Sequence, residues 1–257
     1  MIDSLTLILP TLNEKANLEV LIPEFNSLLS KYFGDNFEIL VIDDNSEDGT
    51  FEFIETLQSK FLNLEIILRS NKKSLPMSIF EGINFAKYAN IMWLDADGSM
   101  GVEDAEKLIL EKNKSKINTI VGSRFIENGG YKGSIENDSV FSSLKTLMHS
   151  EDSIIATFLS KYFNLLLSFL GKYPVKDMTS GFVLTEKRFV NNIEIFNNAI
   201  YGEYFVNLIF FHKKNNYTIK EVGYFCKTRL FGKSKTSYSF FRIIYLSFFY
   251  IKAALRY

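Results

Sequence analysis

Two aspartates lie one residue apart, at Asp95 and Asp97, directly after the apolar run of residues 91–94. Carboxylates resist burial unless they are paired, hydrogen-bonded or bound to a metal. Two of them at the end of a buried strand favour a site for a hard divalent cation, such as Mg2+ or Mn2+, which prefers oxygen ligands. The alternative is a solvated turn, because so short a motif often occurs by chance.

Two further segments, with the sequences PTLNE and DDNSEDGT, each join an apolar run to a helical pattern. Glu14 fits either the first turn of a helix, where acids are common, or a contact with a ligand, and Ser46 or Asp48 can cap the next helix. Capping does not explain a second acid at Asp44. In a nucleotide site, that carboxylate could accept hydrogen bonds from a base or a ribose.

The elements that must position these residues alternate along the first half of the chain. Short β-rich apolar runs predict strands at residues 5–9, 37–42, 64–68, 90–94 and 117–121, and apolar residues at helical spacing predict helices at 16–29, 51–61 and 77–88. This is the pattern of parallel β-α units, which place ligands at the carboxyl ends of their strands. One pocket rich in aspartate is therefore expected, formed by residues 10–14, 43–46, 95–99 and 122–124.

Composition narrows the classes of function. The chain has 257 residues, and its 29 Lys and Arg nearly balance its 30 Asp and Glu. This balance predicts no nucleic-acid partner, because a domain that binds nucleic acid usually carries a basic excess. The single cysteine, Cys226, excludes an intrachain disulfide and fits a reducing compartment. The N-terminus lacks the basic region and long apolar run of a signal peptide, which predicts a cytoplasmic protein.

Six motifs, taken in order, resemble family 2 glycosyltransferases, most of all the branch with dolichol-phosphate mannose synthases and bacterial polyprenyl-phosphate glycosyltransferases. They are PTLNE at 10–14, DDNSEDGT at 43–50, DAD at 95–97, GSRF at 122–125 with the following Gly129-Gly130, DMTSGF at 177–182 and RLFGKSK at 229–235. No single motif is decisive, but six in the family's order are not expected by chance.

The resemblance implies an α/β fold of the GT-A type over residues 1–235, a Rossmann-like sheet flanked by helices that binds a nucleotide-diphospho-sugar. It also implies an inverting, metal-dependent enzyme that moves a hexose-type sugar from a nucleoside-diphosphate sugar to a polyprenyl phosphate, dolichyl or undecaprenyl. Mg2+ or Mn2+ would be the cofactor. The protein would act at the cytoplasmic face of a membrane, as a peripheral protein.

The resemblance also assigns roles by position. The sugar nucleotide would be bound by Pro10, Leu12, Glu14, Ile42, Asp44, Asp95, Ala96, Asp97 and Lys235. The metal would be bound by Asp95 and Asp97, directly or through water, with Ser99 nearby. The catalytic residues would be Asp95, Asp97, Arg124 and Arg229, and the acceptor side would hold Arg124, Thr179, Ser180 and Ser234. Guanidinium groups suit phosphate because their donors match its oxygens. A surface ion pair is the alternative for each arginine, and an ordinary turn for residues 179–181.

The chemistry of the acceptor distinguishes the candidate reactions. A lipid monophosphate is already anionic near neutral pH, since its second pKa is about 6, so no protein base is needed. A sugar hydroxyl would need a carboxylate to take its proton, and many relatives with such acceptors carry a Glu-Asp pair where this chain has DMTSGF. A phosphate acceptor is favoured. The alternatives are transfer to a saccharide hydroxyl in surface-glycan assembly and a non-catalytic sugar-nucleotide-binding protein.

The chain departs from its relatives mainly on the acceptor side. Ala156 stands where an arginine is usual, and Asn207 or Leu208 where a glutamate is usual. On the donor side, Leu12 replaces a frequent tyrosine. The donor side therefore matches the family more closely than the acceptor side.

Two segments lie outside the motifs. Residues 129–153 are polar and predict either a mobile loop over the acceptor side or an inert insertion. Residues 236–257 predict an amphipathic helix, too short in its apolar part to span a bilayer, that lies in a membrane surface or docks on a protein. Its basic side would hold Arg242, Lys252 and Arg256, opposite Ile244, Phe248, Ile251 and Leu255. A partner subunit could supply a membrane anchor.

Overall fold

The computed structural model describes residues 1–131, 154–171, 175–232 and 240–256. The strands are β1 (Leu5–Thr11), β2 (Phe37–Asp43), β3 (Leu64–Leu68), β4 (Asn90–Trp93), β5 (Thr119–Ser123), β6 (Gly130–Tyr131), β7 (Val183–Glu186), β8 (Ile219–Gly223) and β9 (Phe225–Cys226). The α-helices are α1 (Lys15–Phe33), α2 (Thr50–Gln58), α3 (Leu75–Phe85), α4 (Val102–Lys114), α5 (Ile154–Gly171), α6 (Tyr204–Lys214) and α7 (Phe240–Ala254). Two short 3-10 helices, Lys187–Phe189 and Ile193–Ile195, follow β7.

The main sheet has the strand order β3-β2-β1-β4-β7-β5-β8 and is mostly parallel. Only β7 runs antiparallel to its neighbours in this sheet. A small second sheet pairs β6 with β9. The predicted α/β sheet with flanking helices is confirmed.

Helices cover both faces of the main sheet. The central strands of the sheet are therefore buried on both sides and continuously apolar, as β1 illustrates. All seven residues of β1 are buried, as expected for a central parallel strand. Leu5, Leu7 and Leu9 belong to the core formed with α1 and α4. Ile8, on the opposite face, belongs to the core formed with α3 and α6.

The strands predicted in the first half are all present, with bounds within two residues of those predicted. The three predicted helices correspond to α1, α2 and α3. The position of β7 was not anticipated. It lies between β4 and β5, with Val183 opposite both Trp93 and Val121. The carboxyl end of β5, which carries Arg124, is therefore separated by one strand from the end of β4, which carries Asp95.

The C-terminal helix α7 docks on the domain, where it packs against α5 and α6. Ala253 and Ala254 are buried, and Ile251 packs against the same core. The predicted division of its faces was wrong for Ile251 and for Lys252. Ile251 faces the protein, whereas Lys252 shares the exposed face with Phe248 and Leu255. The docked side of the helix is formed by Ile251, Ala253 and Ala254. The side chains of Arg242 and Ile244 lie outside the described residues.

None of the helices in the described ranges is both long and apolar enough to cross a membrane.

Candidate active site

A cleft of about 370 Å³ opens at the carboxyl ends of β1, β2 and β4. Its other walls are the start of α3, the segment before α6 and Arg229. The lining residues are Pro10, Thr11, Leu12, Glu14, Asp44, Lys73, Ser74, Leu75, Ser78, Asp95, Ala96, Asp97, Ile200, Tyr201 and Arg229. The structure thus brings together most of the residues predicted to bind the donor. Ile42 lies at the end of β2 and is fully buried.

The strand register brings the predicted segments together. Thr11 and Asp43 are opposite each other in β1 and β2, and the Asp44 N–H donates to the Thr11 carbonyl at 2.8 Å. The two loops that follow are tied to each other, because Asp48 accepts from the N–H groups of both Lys15 and Thr50. Asp48, one of the two residues predicted to cap a helix, therefore binds N–H groups at the starts of both α1 and α2, although the N-cap position of α2 is Gly49.

Asp95 and Asp97 extend from the end of β4 into the cleft. The Asp97 Oδ1 accepts from the Ser99 N–H at 2.9 Å, which closes a tight turn at Gly98 with φ of 82°. The carboxylate of Asp95 makes no hydrogen bond to the described part of the chain. Its side chain is open to the cleft, yet the surrounding walls desolvate it, and together with the charge of Asp97 they raise its pKa to about 7.

A guanidinium faces these acids. Arg229 Nη2 donates to Glu14 Oε1 at 2.6 Å, and its Nη1 lies 3.8 Å from Asp97 Oδ2. Only 18% of the Arg229 side chain is exposed, although it lies in a loop. The alternative of a surface ion pair therefore does not describe Arg229, which lies in the wall of the cleft.

Arg69 was missed by sequence reasoning, although it directly follows β3 at the same edge of the sheet. Its guanidinium forms a buried ion pair with Asp44 and lies 3.1 Å from the Glu81 carboxylate. The second oxygen of Asp44 accepts from the Ser74 N–H at the start of α3. Asp44 is therefore held rigidly at the cleft wall. The position of an arginine at a strand end was the signal that could have found it.

The predicted acceptor side forms a separate cluster beyond β7. Arg124 binds both oxygens of Asp177 at 2.8 Å and donates to Thr179 Oγ1 at 2.7 Å. The ring of Tyr131 lies against its guanidinium, and Ser180 is buried nearby. Arg124 and Thr179 do not belong to the cleft lining within the described residues. The alternative for Arg124 was a surface ion pair, whereas the observed pair with Asp177 is buried.

Between the cleft and this cluster lies a wall that the sequence did not reveal. The Glu203 carboxylate accepts from the N–H groups of Ile200 and Tyr201, which line the cleft. The Trp93 Nε1 donates to the Tyr204 hydroxyl at 3.3 Å. Burial, reinforced by the charge of Asp95, raises the pKa of Tyr204, so its hydroxyl stays protonated.

Several predicted positions cannot be located in this way. Ser234, Lys235 and residues 132–153 lie outside the described residues, as does the side chain of Ala156. Asn207 lies in the core, where its Nδ2 donates to the Ile195 carbonyl at 3.2 Å. Leu208 is also buried. Neither position carries a charge toward the cleft.

Comparison with known proteins places these observations in a family. Residues 6–193 match the family described as Glycosyl transferase family 2. The dolichol-phosphate mannosyltransferase of Pyrococcus furiosus is 29% identical over 246 residues, which cover 93% of this chain and 62% of that protein. The enzyme of the same name from Saccharomyces cerevisiae is 26% identical over 180 residues, covering 68% and 65%. The chain thus spans less than two thirds of the length of these relatives.

Solved structures with a similar fold include glucosyl-3-phosphoglycerate synthase from Mycobacterium tuberculosis in complex with Mn2+ and UDP-glucose. It has a TM-score of 0.65 at 13% identity, covering 99% of this chain and 78% of that one. TarS from S. aureus in complex with UDP-GlcNAc has a TM-score of 0.55 at 15% identity, covering 92% and 61%. The predicted GT-A fold is confirmed.

Proposed function

Because the chain belongs to glycosyl transferase family 2, we propose that it transfers a hexose-type sugar from a nucleoside-diphosphate sugar to a polyprenyl phosphate, with inversion at the anomeric carbon. The observation that carries the proposal is the cleft in which two neighbouring carboxylates, Asp95 and Asp97, face the guanidinium of Arg229. Dolichol-phosphate mannosyltransferases among its relatives support the class of acceptor.

The nucleoside of the donor would lie between the ends of β1 and β2 and the start of α3. The cleft volume of about 370 Å³ is within the range of small-molecule sites, roughly 300–1,000 Å³. Pro10 and Leu12 offer apolar contact, and Asp44 is the acidic group at this end, beside Lys73, Ser74 and Ser78. The UDP-sugars bound by structural neighbours support a donor of this class.

Asp95 and Asp97 would hold Mg2+ or Mn2+, with Ser99 beside them. The donor set fits such an ion, because it offers hard oxygens and because the raised pKa of Asp95 marks a carboxylate that a cation would stabilise. Over the described ranges, no group of three or more His, Cys, Asp or Glu side chains is arranged to bind a metal. Phosphate oxygens and water would therefore complete the coordination. When bound, the ion supplies positive charge for the leaving diphosphate.

The chain's own contribution to the reaction is electrostatic. Cleavage of the bond at the anomeric carbon leaves negative charge on the nucleoside diphosphate, and Arg229 is already oriented beside the carboxylate pair to stabilise it. Lys235, which lies outside the described residues, is proposed to act on the same charge. Such preorganised donors need no rearrangement as the charge develops.

The hydrogen bonds made by the carboxylates of Asp177 and Glu203 support a phosphate acceptor. Both oxygens of Asp177 are bound by Arg124, and both oxygens of Glu203 accept backbone N–H groups. A carboxylate held in this way is a poor general base for a sugar hydroxyl. A lipid phosphate needs no base, because it is already anionic at neutral pH. We propose that Arg124, Thr179, Ser180 and Ser234 lie on this acceptor side.

A lipid acceptor requires contact with a membrane, and α5 and α7 offer a surface for it. We call it the α5–α7 face; its exposed apolar residues are Tyr162, Leu165, Leu166, Phe169, Tyr245, Phe248 and Leu255. Lys161, Lys252 and Arg256 are exposed beside them. Apolar side chains flanked by basic ones are typical of protein that lies in the surface of an anionic bilayer. We propose peripheral binding at the cytoplasmic face, with a membrane-anchoring partner subunit as an additional component.

The proposal is tested with purified protein, membranes, Mn2+ or Mg2+ and a panel of labelled sugar nucleotides, followed by extraction into organic solvent. Label recovered in an acid-labile lipid supports it. Water-soluble or polymeric product would instead indicate a saccharide acceptor. Metal-dependent nucleotide binding without transfer would indicate a binding protein.

A further inference from the structure

The side chain of Asn17, in α1, binds the main chain of Phe231 with both ends of its amide. Its Oδ1 accepts from the Phe231 N–H at 2.9 Å, and its Nδ2 lies 3.3 Å from the Phe231 carbonyl oxygen. Asn17 is only 2% exposed. A buried amide that is bonded at both ends is costly to disturb, because its partners would be left unsatisfied.

The same amide reaches Arg229 through Glu14. Asn17 Nδ2 donates to Glu14 Oε2 at 2.5 Å, and Glu14 Oε1 accepts from Arg229 Nη2 at 2.6 Å. Arg229 Nε lies 3.4 Å from the Phe231 carbonyl oxygen. These contacts form a closed ring that joins the start of α1 to residues 229–231. Arg229 is thereby restrained from two sides.

Residues 227–231 run along the turn that carries the carboxylate pair. The Lys227 N–H donates to the Ser99 carbonyl at 2.9 Å, and the Leu230 N–H to the Asp97 carbonyl at 3.1 Å. The Leu230 side chain covers Gly98 so closely that a Cβ there would lie 2.6 Å from Leu230 Cγ. We call residues 227–231 the strap.

Burial alone does not hold the strap in place. Leu230 is 45% exposed and Phe231 is 50% exposed, so neither side chain is anchored in a core. It is attached by hydrogen bonds to the turn and to Asn17, and by the ion pairs of Lys227 with Glu103 and of Arg229 with Glu14. On the C-terminal side of Arg229, Leu230 is therefore held by the turn and Phe231 by Asn17.

We propose that Asn17 is a positioning residue, which fixes Arg229 beside Asp95 and Asp97 by clamping the main chain at Phe231. The inference rests on the proposed function in one respect, namely that Arg229 then faces the diphosphate of the donor. Asn17 itself contacts no reacting group. It acts through the strap and through Glu14.

Hydrogen exchange of the full chain without ligand tests the clamp independently of activity. In Asn17→Ala, the peptide that covers the strap is expected to exchange at least about tenfold faster than in the wild type. Asn113→Ala is the matched control, because Asn113 Oδ1 also accepts a remote backbone N–H, that of Ile2, at 2.8 Å. It lies near the start of β1, at the edge opposite the cleft, and should leave the strap unchanged. Unchanged exchange in Asn17→Ala would overturn the clamp.

Asn17→Asp covers the case in which the alanine variant does not fold. It keeps the size and the acceptor oxygen of asparagine but loses the amide donor and places a second carboxylate against Glu14. Faster exchange confined to the strap is expected again. If exchange of the strap stays at the wild-type rate in this variant, the clamp is also overturned.

A double-mutant cycle with Arg229→Ala separates positioning from general stability. Asn17→Ala should lower kcat/KM at least about tenfold when Arg229 is present and less than about twofold in the Arg229→Ala background. Equal factors in both backgrounds would show that Asn17 does not act through Arg229. If the wild type transfers no sugar, the proposed function fails while the exchange measurement still decides whether the clamp exists.

Discussion

The guanidinium of Arg124 binds both carboxylate oxygens of Asp177, 53 residues further along the chain. Asp177 is fully buried, and only 14% of the Arg124 side chain is exposed. The pair joins the end of β5 to the segment that leads into β7. Because the Asp177 charge has been removed from water, this residue depends on Arg124, and loss of either partner leaves the other uncompensated.

Asp177→Ala is therefore expected to lower the free energy of unfolding by roughly 3–5 kcal/mol. Chemical denaturation measures this loss. Arg188→Ala is the control, because it removes an exposed pair with Glu186 and should change stability by less than about 1 kcal/mol. Similar small losses in both variants would contradict the assignment of a buried, mutually dependent pair.

Asp97→Ala should lower sugar transfer at least about a hundredfold, because it removes one of the two carboxylates proposed to hold the metal. The melting temperature should stay close to that of the wild type, since Asp97 lies in the cleft and not in the core. Transfer assays with added Mn2+ measure the effect. Asp35→Ala, at an exposed turn, is the control for loss of an acid. Near-normal turnover in Asp97→Ala would sink the metal assignment.

The sequence predicted the central strands well because parallel strands buried on both faces are short continuous apolar runs. It did not predict α4, although Ala105, Leu108 and Ile109 are buried there at helical spacing, so the signal was present. The position of β7 could not be predicted in this way. Strand order depends on contacts between distant segments, and no local periodicity encodes them.

The same distinction applies to the site. Asp44, Asp95 and their neighbours were found because strand ends meet at one edge of a sheet. Asn17 looks like an ordinary helical residue until its contact with Phe231, 214 positions later, is seen. Likewise, the sequence shows Arg124 as a phosphate-binding candidate, whereas only the fold reveals that Asp177 engages it.

A pH dependence of stability is expected from His212. This side chain is fully buried, and burial lowers its pKa from 6.5 to about 4. Between these values the unfolded chain binds a proton that the folded protein excludes, so stability falls as the pH drops through this window and is level above it. The contribution of His212 amounts to roughly 3 kcal/mol across the window.

Chemical denaturation between about pH 4.5 and pH 7.5 checks this dependence. His212→Gln should unfold more easily at neutral pH, because it loses the contacts of the ring with Thr119 and Leu208. It should also show a shallower decline toward acid. A decline as steep as that of the wild type would mean that other groups cause it.

Arg69→Ala is expected to weaken nucleotide binding at least about tenfold, because Asp44 would lose the buried cation that fixes its carboxylate. Arg69→Lys should recover part of the affinity, since an ammonium keeps the charge but lacks the fork of donors. Calorimetric titration with UDP and with GDP, each in the presence of Mn2+, measures the effect. Unaltered affinity in the alanine variant would show that Arg69 does not support the nucleotide site.

Binding to lipid vesicles is expected to depend on the α5–α7 face. Phe248, at 61% exposure, would place an aromatic ring in the bilayer surface, and burial of such a side chain contributes about 1.5–3 kcal/mol. Phe248→Asp should therefore weaken binding to vesicles with anionic lipids at least about tenfold, as measured by co-sedimentation. Leu62→Asp is a matched control, because Leu62 is 89% exposed in the loop before β3, at the edge of the sheet opposite the cleft. Equal losses in the two variants would indicate a general effect of charge. A loss in Phe248→Asp that Leu62→Asp does not show, and that persists with neutral vesicles and with added salt, would assign the contact to this face.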